Sequence, residues 1–124
     1  SKWTEQRRAN AVFYQKGLID LSNIQVPMDK EYEKAVYHTF VIQCEGRDEL
    51  KKYLSDNGIE TAIHYPIPIH LQKVAKGLGY KRGTLPVTER QAERILSLPI
   101  YPELKTEDME YVVSHIRNFL KNKR

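Results

Sequence analysis

The stretch Gly58 to Leu71, G-I-E-T-A-I-H-Y-P-I-P-I-H-L, constrains this chain more than any other. Ile59, Thr61 and Ile63 alternate with Glu60, Ala62 and His64, and Ile and Thr favour extended backbone, so the run begins as a strand. Pro66 and Pro68 then lack N–H donors and push Tyr65 and Ile67 toward extended or polyproline geometry. A stiff segment leaves the sheet there and carries two imidazoles and a phenol. His64, Tyr65 and His70 are therefore the candidate site residues. From the residues alone two readings stand: a phosphate or sugar site, or a rigid turn that packs its own rings.

At 124 residues the chain suits one domain with a core of its own. It is 40% hydrophobic and 29% charged, ordinary for a soluble globular domain. No apolar run approaches the length that spans a membrane, and residues 1–10 are polar and charged, unlike a signal peptide. No membrane partner and a reducing, cytoplasmic location are expected. Cys44 is the only cysteine, which excludes an internal disulfide and a thiolate metal cluster. The net charge of +4 gathers at Lys121, Lys123 and Arg124, a solvated tail rather than a nucleic-acid module.

In chain order, Trp3 to Leu18 reads as a helix with Trp3, Ala9, Val12 and Phe13 on its apolar face. Ile24-Gln25-Val26 ends at Pro27 and can be at most a short edge strand. Val36 to Gln43 is the strongest strand, with His38 within it as a structural residue. Asp48 to Asn57 is a helix with Leu50, Tyr53 and Leu54 inward. Gly58 can take the left-handed cap conformation, with Ile59 as the hydrophobic contact of that motif. His70 to Lys76 suggests a short helix, and Gly77, Gly79 and Gly83 then break the chain into a loop. Thr88-Glu89-Arg90-Gln91 has the form of a capping box, opening a helix that buries Ala92, Ile95 and Leu96. Ser97 to Pro102 is a short extended piece that its two prolines keep from the middle of a sheet. Thr106 caps the last helix, Glu107 and Asp108 suit its positive end, and Met109, Val112, Val113, Ile116 and Leu120 form its stripe. The pattern is an α+β fold, or α/β layer, with about three strands covered by helices.

Several chemistries find no support. His64 and His70 are two imidazoles without a third ligand at fixed spacing, so no metal site is expected. No G-x-S-x-G, Walker A or G-x-G-x-x-G sequence occurs. Cys44 has no neighbouring base and reads as a buried structural thiol.

The run G-I-E-T-A-I-H-Y-P-x-P-x-H at 58–70, L-P-V-T-E-R-Q-A-E-R-I-L-S-L-P-I-Y-P-E-L at 85–104 and E-x-V-V-x-x-I-R-x-F at 110–119 together resemble the C-terminal small domain of DegT/DnrJ/StrS-type aminotransferases. Arg7-Arg8-x-Asn10-Ala11-x-x-Tyr14 is similar to the helix that leads into that domain, and Tyr37-His38-x-Phe40-Val41-Ile42 to one of its strands. The resemblance covers essentially the whole chain. It implies a fold-type-I enzyme that uses pyridoxal phosphate to move an amino group, with glutamate as the expected donor, onto a nucleotide-linked keto-sugar. It further implies that residues 1–18 link to an absent N-terminal domain carrying the cofactor and its lysine, that 19–124 form the small-domain body, and that the segment alone binds no cofactor and is inactive. His64 and Tyr65 would face the sugar or its phosphates, and His70 would brace the turn or touch substrate. Trp3 and Phe13 would find partners in the absent domain. Relatives of this kind are commonly dimers, and some replace the lysine with histidine and dehydrate the sugar instead. A freestanding ligand-binding or regulatory α+β domain is the competing reading.

Overall fold

Alternation along one short strand organises the core. The computed structural model describes residues 2–28, 37–64, 67, 71–79 and 81–122. In β2 (Phe40–Cys44), Phe40, Ile42 and Cys44 are buried while Val41 and Gln43 are half-buried, the two-residue period of a strand with one core face. β1 (Ile24–Gln25) lies antiparallel on one side of it and β3 (Ile95–Leu98) on the other, giving the order β1-β2-β3. Phe40 stands opposite Leu98 and Ile42 opposite Leu96, so these four side chains share the core face.

Helices cover that face. α1 (Lys2–Leu18) contributes Ala11, Tyr14 and Leu18; α2 (Arg47–Asp56) contributes Leu50 and Leu54; α4 (Thr106–Asn122) contributes Met109, Val112 and Ile116. The Tyr14 and Phe40 rings pack at 5.2 Å between centroids. α3 (Pro86–Arg94) runs directly into β3, and a 3₁₀ segment spans Lys73–Leu78. The architecture is α+β, as the sequence predicts.

α1 turns a different face inward from the one expected. Trp3 and Val12 are exposed, and Phe13 is only half-buried. The buried face instead includes two polar residues. Asn10 donates to the Tyr101 carbonyl at 2.8 Å, and Gln15 donates to the Pro27 carbonyl at 2.8 Å and the Tyr37 hydroxyl at 3.0 Å. Burial of such amides is tolerated because their hydrogen bonds are met.

The end of α2 follows the sequence closely. Gly58 has φ 78°. Its N–H donates to the Ser55 carbonyl at 3.0 Å, and Ile59 N–H donates to the Leu54 carbonyl at 2.8 Å. This is a Schellman cap, with Ile59 buried as its hydrophobic contact.

Three expected boundaries move. β2 begins at Phe40, because Tyr37 adopts φ 58° and thereby leaves extended geometry; its hydroxyl meets Gln15 and its ring lies 6.1 Å from Phe40. Val36 lies outside the described residues. Thr88 is inside α3 rather than capping it, since Pro86 occupies the first turn. The Glu89 carboxylate takes the capping role, accepting from Gly83 N–H at 2.7 Å and Leu85 N–H at 3.2 Å. Ile95 and Leu96 belong to β3, not to the helix before it.

Candidate functional site

Between Ile59 and His64 the chain forms a single bridge to β3 instead of the expected strand. Ala62 and Ser97 exchange both backbone hydrogen bonds, Ala62 N–H to Ser97 O at 3.1 Å and Ser97 N–H to Ala62 O at 2.7 Å. Two neighbouring groups are committed elsewhere: Ile59 N–H closes the α2 cap, and the Thr61 carbonyl accepts from Lys51 Nζ at 3.1 Å. Ala62 makes the bridge to β3.

That bridge places His64. Ser97 pairs with Val41 across β2–β3, so its side chain leaves the sheet on the face opposite Phe40, Ile42, Leu96 and Leu98. Ala62 projects to the same side as its direct partner Ser97, and His64, two residues further on, is the diagonal neighbour. The His64 imidazole is exposed, and its Nδ1 lies 3.0 Å from the Ser97 hydroxyl, which is buried. One end of the ring is thus held by the sheet on the side away from the helical core. Ile63, the intervening residue, packs against the core and anchors the backbone.

Tyr65 and His70 lie outside the described residues, as do Pro66 and Pro68. Of the proposed trio, the structure therefore locates His64. Ser97 was not singled out from the sequence. The available signal was a lone hydroxyl between Leu96 and Leu98, since a buried polar side chain in a strand requires a partner.

His38 is exposed and precedes β2. His115 donates from Nδ1 to the Tyr111 carbonyl at 2.8 Å on α4. Cys44 is fully buried, with its sulfur 3.0 Å from the Glu45 carbonyl. Among the described residues no three His, Cys, Asp or Glu side chains converge as metal ligands, and no helix is long and apolar enough to cross a membrane.

Two concavities lie elsewhere. A cleft of about 1060 Å³ carries the ion pairs Arg117–Asp20 at 2.8 Å and Arg94–Glu45 at 3.4 Å. The Arg117 guanidinium hydrogen-bonds the Asp20 carboxyl and holds it below its ordinary value. An apolar groove of about 410 Å³ runs between α1 and α4, floored by Phe13, Gly17 and Val113. His64 lines neither.

Among the described residues, Lys51 is half-buried and its Nζ donates to the Thr61 carbonyl.

The sequence profile of the DegT/DnrJ/EryC1/StrS aminotransferase family matches residues 1–117. A "pleiotropic regulatory protein" of Geobacillus stearothermophilus is 43% identical over 123 residues, covering 98% of this chain and 33% of that protein. A dTDP-3-amino-3,4,6-trideoxy-alpha-D-glucose transaminase of Streptomyces venezuelae is 37% identical over 117 residues, covering 94% of this chain and 31% of its own length. The crystal structure of Streptomyces venezuelae DesV in complex with a ketimine intermediate superposes with a TM-score of 0.92 at 36% identity, over 98% of this chain and 32% of that one. The chain spans about a third of the length of these relatives. With its fold and nearly its whole sequence matched, the chain belongs to the DegT/DnrJ/EryC1/StrS aminotransferase family.

Proposed function

We propose that this chain is the small, substrate-closing domain of a pyridoxal-phosphate aminotransferase that moves an amino group from glutamate to a nucleotide-linked keto-sugar. The observation that carries the reading is His64, exposed and braced by Ser97 on the sheet face away from the helical core. Residues 1–18 link this body to a preceding domain, and 19–124 are the body itself. The exposed Trp3 on α1 fits a helix with a further partner in the longer protein. That longer protein is cytoplasmic and works as a homodimer.

The cofactor belongs to the preceding domain, where it supplies the electron sink for amino transfer. This chain's residues bind and orient. The His64 imidazole and the Tyr65 phenol suit hydroxyl and phosphate oxygens, because both can donate hydrogen bonds without carrying charge. His70 braces the turn or adds a further contact. The contact with Ser97 ties His64 to the sheet, so closure over the sugar brings the imidazole to a fixed position.

The test is assay of the longer protein with glutamate and nucleotide-linked keto-sugars, with products identified by mass. An amino-sugar product is expected. A dehydrated sugar would move the enzyme to the dehydratase branch, and sugar-nucleotide binding without turnover would favour a ligand-binding or regulatory domain. The chain alone, treated with pyridoxal phosphate and borohydride, should show no stoichiometric labelling. A single lysine labelled at full occupancy would place cofactor chemistry here.

A further inference from the structure

We propose that Arg7 seats a carboxylate of the preceding domain, an ion pair that fixes where that domain meets α1. Ala11, Tyr14 and Leu18 are fully buried and mark the inward face of α1. Arg7 and then Trp3 continue that face toward the N-terminus at helical spacing. Burial fades along it: Arg7 is half-buried and Trp3 is 65% exposed.

Arg7 lacks a counter-charge. Its Nε is buried and meets no hydrogen-bond partner, one of two such side-chain atoms among the described residues. The other, Thr61 Oγ1, is neutral, and a cation stripped of water without a partner is the costlier case. Nη1 and Nη2 of Arg7 are not buried and are likewise unpaired among the described residues, so the end of the guanidinium fork is open to an incoming group. Arg47 shows the contrast, with Nε on Asp48 and Nη1 on the Ala92 and Ile95 carbonyls. The planar end of a guanidinium matches the two oxygens of a carboxylate.

The surroundings favour a protein surface over a small ligand. Neither Arg7 nor Trp3 lines either concavity, and Trp and Arg are the side chains that most often anchor interfaces. The chain spans about a third of its relatives' length, and α1 is the element through which the proposed link from a preceding domain enters. A carboxylate arriving there meets a cation already short of water, where the lower local dielectric strengthens the pair. The pair rests on the reading of residues 1–18 as a link to that domain and is independent of the reaction.

Hydrogen–deuterium exchange of residues 2–10, read by mass spectrometry at neutral pH, tests the pair in the longer protein and in this chain. Exchange should be slower in the longer protein. There Arg7→Met, which keeps much of the stem, should speed it by about 10- to 100-fold, with Arg7→Lys between the two. In this chain alone Arg7→Met should leave exchange and the urea midpoint unchanged or improved, since no partner is lost; a lowered midpoint would overturn the pair. Asp→Asn and Glu→Gln substitutions in the preceding domain, made one at a time, should include one that reproduces the Arg7→Met effect and adds nothing to it. Equal wild-type exchange in the two proteins would show that no domain sits on α1 and overturn link and pair together. Protection that Arg7→Met leaves intact keeps the link but overturns the pair, and so does a scan in which no neutralisation acts. Arg7→Lys and the scan decide the matter where Arg7→Met fails to fold. A longer protein with protection that depends on Arg7 but no amination of a sugar would refute the reaction and uphold the pair.

Discussion

A Cβ placed on Gly17 of α1 would lie 3.0 Å from Val113 Cγ1 and 3.2 Å from its Cγ2 on α4, so the two helices meet at a glycine where a methyl fits only if Val113 shifts by a few tenths of an ångström. A valine in a helix is nearly confined to one rotamer, and here both methyls face Gly17. Gly17→Ala gains helix propensity of up to about 1 kcal/mol but overpacks the crossing by about 1–3 kcal/mol. A net loss of roughly 0.5–2 kcal/mol in urea unfolding is expected. Val113→Ala in the same chain should relieve the clash, so that the double variant is more stable than the two single losses added together. A raised midpoint for Gly17→Ala would show that α4 gives way.

Tyr14 ties α1 to the chain beyond β3. Its ring is fully buried and its hydroxyl donates to the Pro99 carbonyl at 2.7 Å. Burial, with Tyr101 and Asp108 nearby, pushes the phenol well above its ordinary value of 10.0. The sign follows: the unfolded chain releases this proton from about pH 10 upward while the folded one retains it. Stability due to Tyr14 is therefore whole below pH 10 and declines as pH rises through that value toward the folded one. Tyr14→Phe should cost about 0.5–1.5 kcal/mol at neutral pH. The gap between wild type and variant should narrow in alkaline denaturation series above pH 10, and a gap constant to pH 11 would contradict the assignment.

Arg47 is a buried cation with a structural task. One guanidinium nitrogen, Nη1, donates to the Ala92 carbonyl at 2.8 Å and the Ile95 carbonyl at 2.9 Å, and Nε donates to Asp48 at 2.8 Å. It thereby satisfies carbonyls at the end of α3 and the start of β3. Arg47→Met keeps much of the stem but strands those carbonyls, and a loss of about 2–4 kcal/mol is expected. Arg47→Lys retains the charge without the planar fork and should recover only part of it. Equal stability of Arg47→Met and wild type in thermal unfolding would refute this account.

The parts of the fold that sequence made legible are those whose causes are local. Gly58 and Ile59 announce the α2 cap within two residues, and Met109, Val112 and Ile116 declare the buried face of α4 by spacing alone. Ile95 and Leu96 misled because a four-residue strand following a helix continues its apolar spacing, and only the ladder to Gln43 and Ile42 reveals it. The inward face of α1 was hidden because Asn10 and Gln15 read as solvent-facing. Their partners, Tyr101 and Pro27, come from distant or separate segments. The site divides in the same way. The prolines and the imidazole mark His64 on sight, whereas Ser97 gains its meaning only from the Ala62 bridge.

That bridge also decides how substitutions at the site should behave. His64 is held from the sheet by Ser97, so His64→Asn removes the ring and its anchor together, while Tyr65→Phe removes one hydroxyl and leaves the backbone before Pro66 unchanged. Loss of one hydrogen bond to a neutral ligand atom costs about 0.5–1.5 kcal/mol, and to a charged phosphate about 1.5–3 kcal/mol. Each variant of the longer enzyme should therefore lose between roughly 2-fold and 100-fold in kcat/KM for the nucleotide-sugar. The half-reaction with glutamate should suffer less, because the amino donor is small and lacks the nucleotide-sugar's contacts. Single-turnover measurement of both half-reactions separates the possibilities. Equal losses in the two would point to cofactor chemistry or general destabilisation. No loss in either would reduce the stretch from Gly58 to Leu71 to a structural turn, with His64 serving only to pack against Ser97.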